Sequence, residues 1–192
     1  MAALSQKACK ISLQVAIHQQ DTYFAIVFYR FMRLCKNILY FCRQAKSTQQ
    51  KFMQLFQKTF RLKSYKRGFH LITKEIKTEL PEISQVKVGL LHIFLHHTTA
   101  SLTINENTDP TVREDFESHI NVVVPENAPY YKHQNEEPDN MPGHIKSSLI
   151  GASLSVPVTN GKLNLGTWQG VYLCEHRNRA MTRKITLTLI GQ

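Results

Sequence analysis

The sequence predicts an α+β fold for residues 51–192, on three observations. Strand-length apolar runs predominate, an Asn-Gly pair marks a tight hairpin, and two or three helices with clear start signals interrupt the strands. With 192 residues, 42% hydrophobic and 20% charged, the chain can bury the core of one ordinary domain.

Residues 1–50 read as a separate extension, joined to the body by the polar stretch Lys46-Ser47-Thr48-Gln49-Gln50. Within it Val27, Phe31, Leu34, Ile38 and Phe41 recur at helical spacing, while Arg30, Arg33, Asn37 and Arg43 take another face. That pattern is a basic amphipathic helix. It is open to two readings, an organelle-targeting (mitochondrial) presequence or a variable terminal extension. The net charge of +10 is concentrated there. Residues 1–51 carry 8 of the 24 Lys and Arg and a single acid, Asp21, leaving 16 basic against 13 acidic residues in the body. The body is thus close to neutral, and nucleic acid is not its expected partner. Three of the four cysteines lie in the extension and no CxxC pair occurs, which favours a reducing, cytoplasmic setting. The longest apolar stretch, Tyr23 to Tyr29, falls well short of the roughly 20 residues a bilayer crossing needs.

Along the body, Leu55–Leu62 and Gly68–Ile72 read as the first two strands. Thr73 is expected to cap a helix with Ile76, Leu80 and Ile83 inward and Glu75 near its N-terminus. Val88–His97 is a near-continuous apolar run, the signature of a strand buried on both faces. Its Leu91, Ile93, Leu95 and His97 share one side and His92, Phe94 and His96 the other. Ser101–Asn105 is a further strand. Asp109-Pro110 starts a helix whose buried stripe would be Val112, Phe116, Ile120 and Val123, ending before Pro125. Residues 125–141 form a long polar loop. A short helix after Pro142 would turn Ile145 and Leu149 inward. Thr159-Asn160-Gly161 closes a hairpin between Leu154–Val158 and Lys162–Trp168, and Val171–His176 and Lys184–Ile190 complete the strands.

The groups able to do chemistry fall in three stretches at element ends: His96 to Ser101, Asp139 to Lys146, and Cys174 to Arg177. Thr98 and Ser101 follow His97 in a small polar run suited to an oxyanion. His144 and Lys146 stand at a helix start, a phosphate-binding corner. Glu175 and Arg177, two apart on one strand face, suggest an ion pair or an acid/base beside a phosphate fork. His92 and His96 read as structural. No HExxH, zinc-finger spacing, Walker loop or GxGxxG is present, which argues against nucleoside-triphosphate and dinucleotide chemistry.

Three segments resemble the small YjbQ-type family of uncharacterised proteins: His97-Thr98-Thr99-Ala100-Ser101-Leu102-Thr103-Ile104-Asn105-Glu106-Asn107, Asp139-Asn140-Met141-Pro142-Gly143-His144-Ile145-Lys146-Ser147-Ser148-Leu149, and Leu165-Gly166-Thr167-Trp168-Gln169-Gly170-Val171-Tyr172-Leu173-Cys174-Glu175-His176-Arg177. The similarity runs from about Lys51 to Gln192. It implies an α+β domain around a large mixed sheet, assembled as a homotrimer. It also implies a weak thiamine-phosphate synthase side activity, a transferase reaction joining hydroxymethylpyrimidine diphosphate to thiazole phosphate with release of pyrophosphate. A divalent ion, zinc or magnesium, would assist that chemistry. By motif, the pocket takes Asp139, Lys146, Glu175, His176 and Arg177 as catalytic, and Thr98, Ser101, Asn105 and Glu106 as ligand-binding. His97, His133 and His144 are assigned to the metal, His133 being added from its Tyr-x-His segment. The resemblance itself leaves open which groups hold metal and which move protons. Two departures stand out: Thr99 replaces the usual Ser, and Asn140 with Gly143 replaces Asp and Ala.

Overall fold

The computed structural model describes residues 28–36 and 52–192. Its coordinates divide into two compact units, Met1–Lys51 and Phe52–Gln192. In the first unit, residues 28–36 form a helix, which carries the first half of the expected amphipathic segment. Val27, Ile38, Phe41 and Arg43 lie outside the described residues.

The second unit is α+β, with strands in two sheets. β1 (Gln54–Arg61), β8 (Lys184–Gly191), β3 (Val88–Leu95), β5 (Ser153–Thr159) and β6 (Lys162–Leu163) form a five-stranded sheet in the order β1-β8-β3-β5-β6. β2 (Gly68–Leu71), β7 (Gln169–Glu175) and β4 (Ala100–Glu106) form a three-stranded sheet in the order β2-β7-β4. The α+β class is as expected, but the large sheet expected as mixed is antiparallel: every ladder among the described residues is antiparallel, and the strands divide between two sheets. Alternation explains the packing. Leu91, Ile93 and Leu95 of β3 and Ile185, Leu187 and Leu189 of β8 point inward, and Leu102, Val171 and Leu173 from the smaller sheet join them in one core.

β7 is buried on both faces because helices cover the other side of the small sheet. α2 (Pro110–Val123) packs on β2 and α3 (Asn140–Ile150) on β4. β3, by contrast, is buried on one face alone. Val88, Leu90 and Phe94 are exposed on the other, so the two-sided burial read from its apolar run does not occur within one copy.

Helix boundaries follow the sequence more closely than helix faces do. α1 (Thr73–Glu79) carries Ile76 inward and Glu75 in its first turn, and a 3₁₀ turn at Pro81–Gln85 brings in Ile83. Its N-cap is Ile72 without a side-chain bond, because the Thr73 hydroxyl accepts from Val171 N–H instead. α2 is capped by Asp109 as expected, Thr111 N–H donating to its carboxylate at 2.8 Å. Its stripe is not buried: none of its residues is, and Val123 is 55% exposed. The Asn160-Gly161 turn has positive φ at both residues, 50° and 76°, as a type I′ hairpin requires. Its second strand spans two residues, not the seven expected.

Candidate functional site

α3 is laid down with its polar side inward. Its buried residues are Asn140, Pro142, Gly143, Lys146 and Ser147, whereas Leu149, expected inside, is 63% exposed. Close approach to β4 makes this possible. A Cβ at Gly143 would stand 3.2 Å from Thr99 Cβ and 3.6 Å from Arg177 Cδ. Ser147 Oγ donates to the Ala100 carbonyl at 2.7 Å, clamping the helix to the strand. A helix that buries lysine and exposes leucine gives up apolar burial, which marks a built polar site.

Beneath α3 lies a sealed polar layer. At one end of the inter-sheet core Arg183 grips Glu175 bidentately, Nε to Oε2 at 2.7 Å and Nη2 to Oε1 at 2.5 Å, and Nη2 also reaches the Thr99 carbonyl at 3.2 Å. Both are buried, so the pair holds only because each charge is fully hydrogen-bonded. The sequence pairing of Glu175 with Arg177 is therefore corrected, since Arg177 meets the Glu175 side chain only through its backbone N–H. On the helix side of β7, the Ser101 hydroxyl and His176 Nε2 are 2.8 Å apart. Burial, reinforced by Lys146, Arg183 and Arg67, pushes the His176 imidazole down to about 3, so it is neutral at physiological pH. Cys174 shares its side, as alternation predicts, and burial raises its thiol to about 12, which makes it inert. Lys146 Nζ donates to Asn121 Oδ1 at 2.5 Å, and burial followed by the Arg67 charge lowers its pKa. Arg67 itself ties Glu117, Glu126, Asn121 and Asn178 together.

An open half adjoins this layer. Residues 127–141 enclose a polar hollow of about 380 Å³ lined by Tyr131, His133, Glu136, Glu137 and Met141 among others. The His133 and His144 rings meet edge to face with centroids 5.9 Å apart. Asn140 fixes the proton on His133. Its Nδ2 donates to the Glu136 carboxylate, which can only accept, so its Oδ1 faces His133 Nε2 at 3.1 Å and takes an N–H from it. In the neutral imidazole the bare nitrogen is then Nδ1. Arg177 closes the rim, donating through Nε to Asp139 at 3.0 Å and through Nη2 to Glu137 at 2.7 Å. The Asp139 carboxylate also receives the Asn178 N–H.

The structure thus gathers Asp139, Lys146, Glu175, His176, Arg177, Ser101, His133 and His144 around α3. Thr98 is exposed beside them. Asn105 and Glu106 lie at the opposite end of β4, facing Gly170 and Gln169, roughly 17–20 Å along the strand from Ala100. Within one copy they do not join the cluster. His97 is also apart in role: its Nε2 accepts the Lys184 N–H at 2.8 Å, which places the neutral ring's proton on Nδ1 and leaves no lone pair for an ion. No three His, Cys, Asp or Glu side chains among the described residues converge in metal-holding geometry. His92 and His96 make cross-strand bonds to Ser155 and Thr186, in keeping with structural roles. Sequence reasoning missed Arg183, Arg67 and Asn121. Arg183 was legible by parity, because it extends the inward row of Ile185, Leu187 and Leu189. Arg67 and Asn121 carry no local signal.

The same residues 58–192 match the family profile described as UPF0047 protein YjbQ-like. The chain belongs to the YjbQ family. The UPF0047 protein YjbQ of Salmonella typhimurium is 54% identical over 137 residues, which is 71% of this chain and 99% of that protein. Among solved structures, an uncharacterised yjbq/upf0047 family protein of Clostridium acetobutylicum is 40% identical with a TM-score of 0.61, covering 68% of this chain and 97% of its own. A Sulfolobus solfataricus protein described as of unknown function is 25% identical with a TM-score of 0.64, covering 73% and 100%.

Proposed function

We propose that this YjbQ-family chain binds a phosphorylated small molecule together with a divalent ion, zinc or magnesium, at the mouth of the 127–141 hollow. The observation that carries the reading is the His133–His144 pair, with Asn140 holding the His133 proton on Nε2 and leaving Nδ1 bare. Two imidazoles suit a cation, and with only two ligands from one copy the remaining positions fall to ligand oxygens, water or a neighbouring copy. The ion would supply Lewis acidity toward a phosphoryl group. At the rim Arg177 would position anionic oxygens, while Lys146, buried beneath the helix, would add positive field from below. The chemistry that fits, as a side activity, is thiamine-phosphate synthase-like transfer with pyrophosphate leaving.

A second reading, a non-catalytic homotrimer holding the ion between copies, is favoured by one feature. The outer face of the large sheet presents Leu55, Val88, Leu90, Phe94 and Ile190 with Gln57, Thr186, Thr188, Ser155 and His92, while the charged Arg61 and Lys184 stand opposite each other at one end. Such a face is suited to self-association. Calorimetric titration with magnesium or zinc, alone and with pyrophosphate, tests the site. Binding and turnover should be lost in His144→Ala and Arg177→Ala with the fold intact, and full turnover in both variants would end the enzymatic reading. Sedimentation with and without chelator separates the trimer reading: an assembly that dissociates only when metal is removed supports it.

A further inference from the structure

We propose that the helix at residues 28–36 is a peripheral membrane-binding element that docks on an anionic lipid surface. It is independent of the α3 site. At 100° per residue, Arg30, Arg33 and Lys36 fall within an arc of roughly 120°, and Phe28, Phe31, Met32, Leu34 and Cys35 fill the opposite side. On that side Phe31 and Leu34 are 62% and 60% exposed, and Phe28, Met32 and Cys35 are half-buried. Tyr29, 70% exposed, lies within the basic arc, where a ring with an apolar body and a polar tip suits a headgroup boundary.

Charge selects the occupant. Between Thr22 and Lys51 the sequence carries six Lys and Arg and no acid, and Val27, Ile38 and Phe41 continue the apolar spacing on both sides. A nucleic acid would use the cations and leave Phe31 and Leu34 in water. A surface of anionic lipid takes both, the apolar side chains entering the acyl boundary and the cations meeting phosphates. No helix among the described residues is long and apolar enough to cross a bilayer.

The test is co-sedimentation of the full chain with vesicles of phosphatidylcholine alone or mixed with phosphatidylserine. The protein should partition onto the mixed vesicles and come off as salt is raised. R30E/R33E/K36E should weaken partitioning by about tenfold or more through lost attraction to anionic lipid, and F31S/L34S by a similar factor through lost insertion. Unchanged melting of the 52–192 body in both variants shows that the loss is local. Equal partitioning onto both vesicle types, variants that bind like the parent, or no vesicle binding would each overturn the proposal. So would F31S/L34S binding unimpaired while only the charge-reversed variant fails, because a purely electrostatic contact is not a docked amphipathic helix.

Discussion

The sealed layer beneath α3 and the open rim above it are built from the same residue types to opposite ends. Below, Glu175, Arg183, His176 and Ser101 are each no more than 2% exposed, and their hydrogen bonds go to one another, to Thr99 and to the Arg177 backbone. Above, His133 and Glu136 are about half exposed, and the bare nitrogen of His133 has no partner among the described residues. The difference teaches that a histidine or carboxylate in this fold is read by what it has left over. Groups fully satisfied inside hold the scaffold, and groups satisfied on one side only are available to a ligand.

Breaking the sealed layer should have the largest effect. Arg183→Met leaves Glu175 buried without its counter-charge and should cost about 3–5 kcal/mol by denaturant unfolding. If Glu175→Gln added to Arg183→Met recovers most of that loss, the penalty is the orphaned charge; if it recovers none, the arginine acts by packing. Next comes acid sensitivity. The folded state keeps His176 neutral down to about 3, whereas the unfolded chain protonates it near 6.5. Between those values the unfolded state binds the extra proton, so stability falls as pH drops through that window, by at most about 1.4 kcal/mol per pH unit. His97, whose pKa burial also lowers, adds to the fall with the same sign. His176→Gln should flatten the profile measured by thermal unfolding across that range.

The junction between the two regions gives a smaller effect. Gly143→Ala gains helix propensity of about 1 kcal/mol but presses on Thr99, so alone it should be near neutral. Combined with Thr99→Ser, which keeps the hydroxyl facing Arg183 and drops the methyl, it should show a favourable coupling of about 0.5–1 kcal/mol in a double-mutant cycle. Strict additivity would mean the helix and strand are not in tight contact. The smallest stability change belongs to the rim. His133→Ala should shift unfolding by no more than about 0.5 kcal/mol yet remove any metal-dependent rise in melting temperature. Asn140→Asp, which sets a second carboxylate beside Glu136, should lower the metal-free melting temperature and enlarge that rise. An unchanged response to metal in both variants would show the rim is not the ion's place.

Much of this was open to reading from residues alone. Asp109-Pro110, Asn160-Gly161 and the alternation on β3 each fix local geometry through their own backbone or spacing, and each appears where expected. The face of α3 was read the wrong way round because apolar spacing was equated with burial, whereas on α2 the expected stripe is only partly covered, with Phe116 stacked on Phe69. On α3, Ile145 and Leu149 keep that spacing while Lys146 and Ser147 take the interior. Three site stretches were legible because strand ends concentrate polar groups, but which of them touch was not. Glu175 chose Arg183 over its near neighbour Arg177, and Asn105 and Glu106 stayed at the far end of their strand.

By itself, then, the sequence determined the class, the order of the elements, the turns and the family, since these rest on interactions a few residues long or on a shared string of motifs. The tertiary structure alone decided the division into two antiparallel sheets, the inward turn of Lys146, the Glu175–Arg183 pair and the proton position on His133. Each of these depends on which groups share one low-dielectric space: Glu175 and Arg183, 8 residues apart, and His133 and Asn140, 7 apart, are joined across irregular stretches whose path no local pattern fixes, and Arg177 and Asp139 meet across 38 residues.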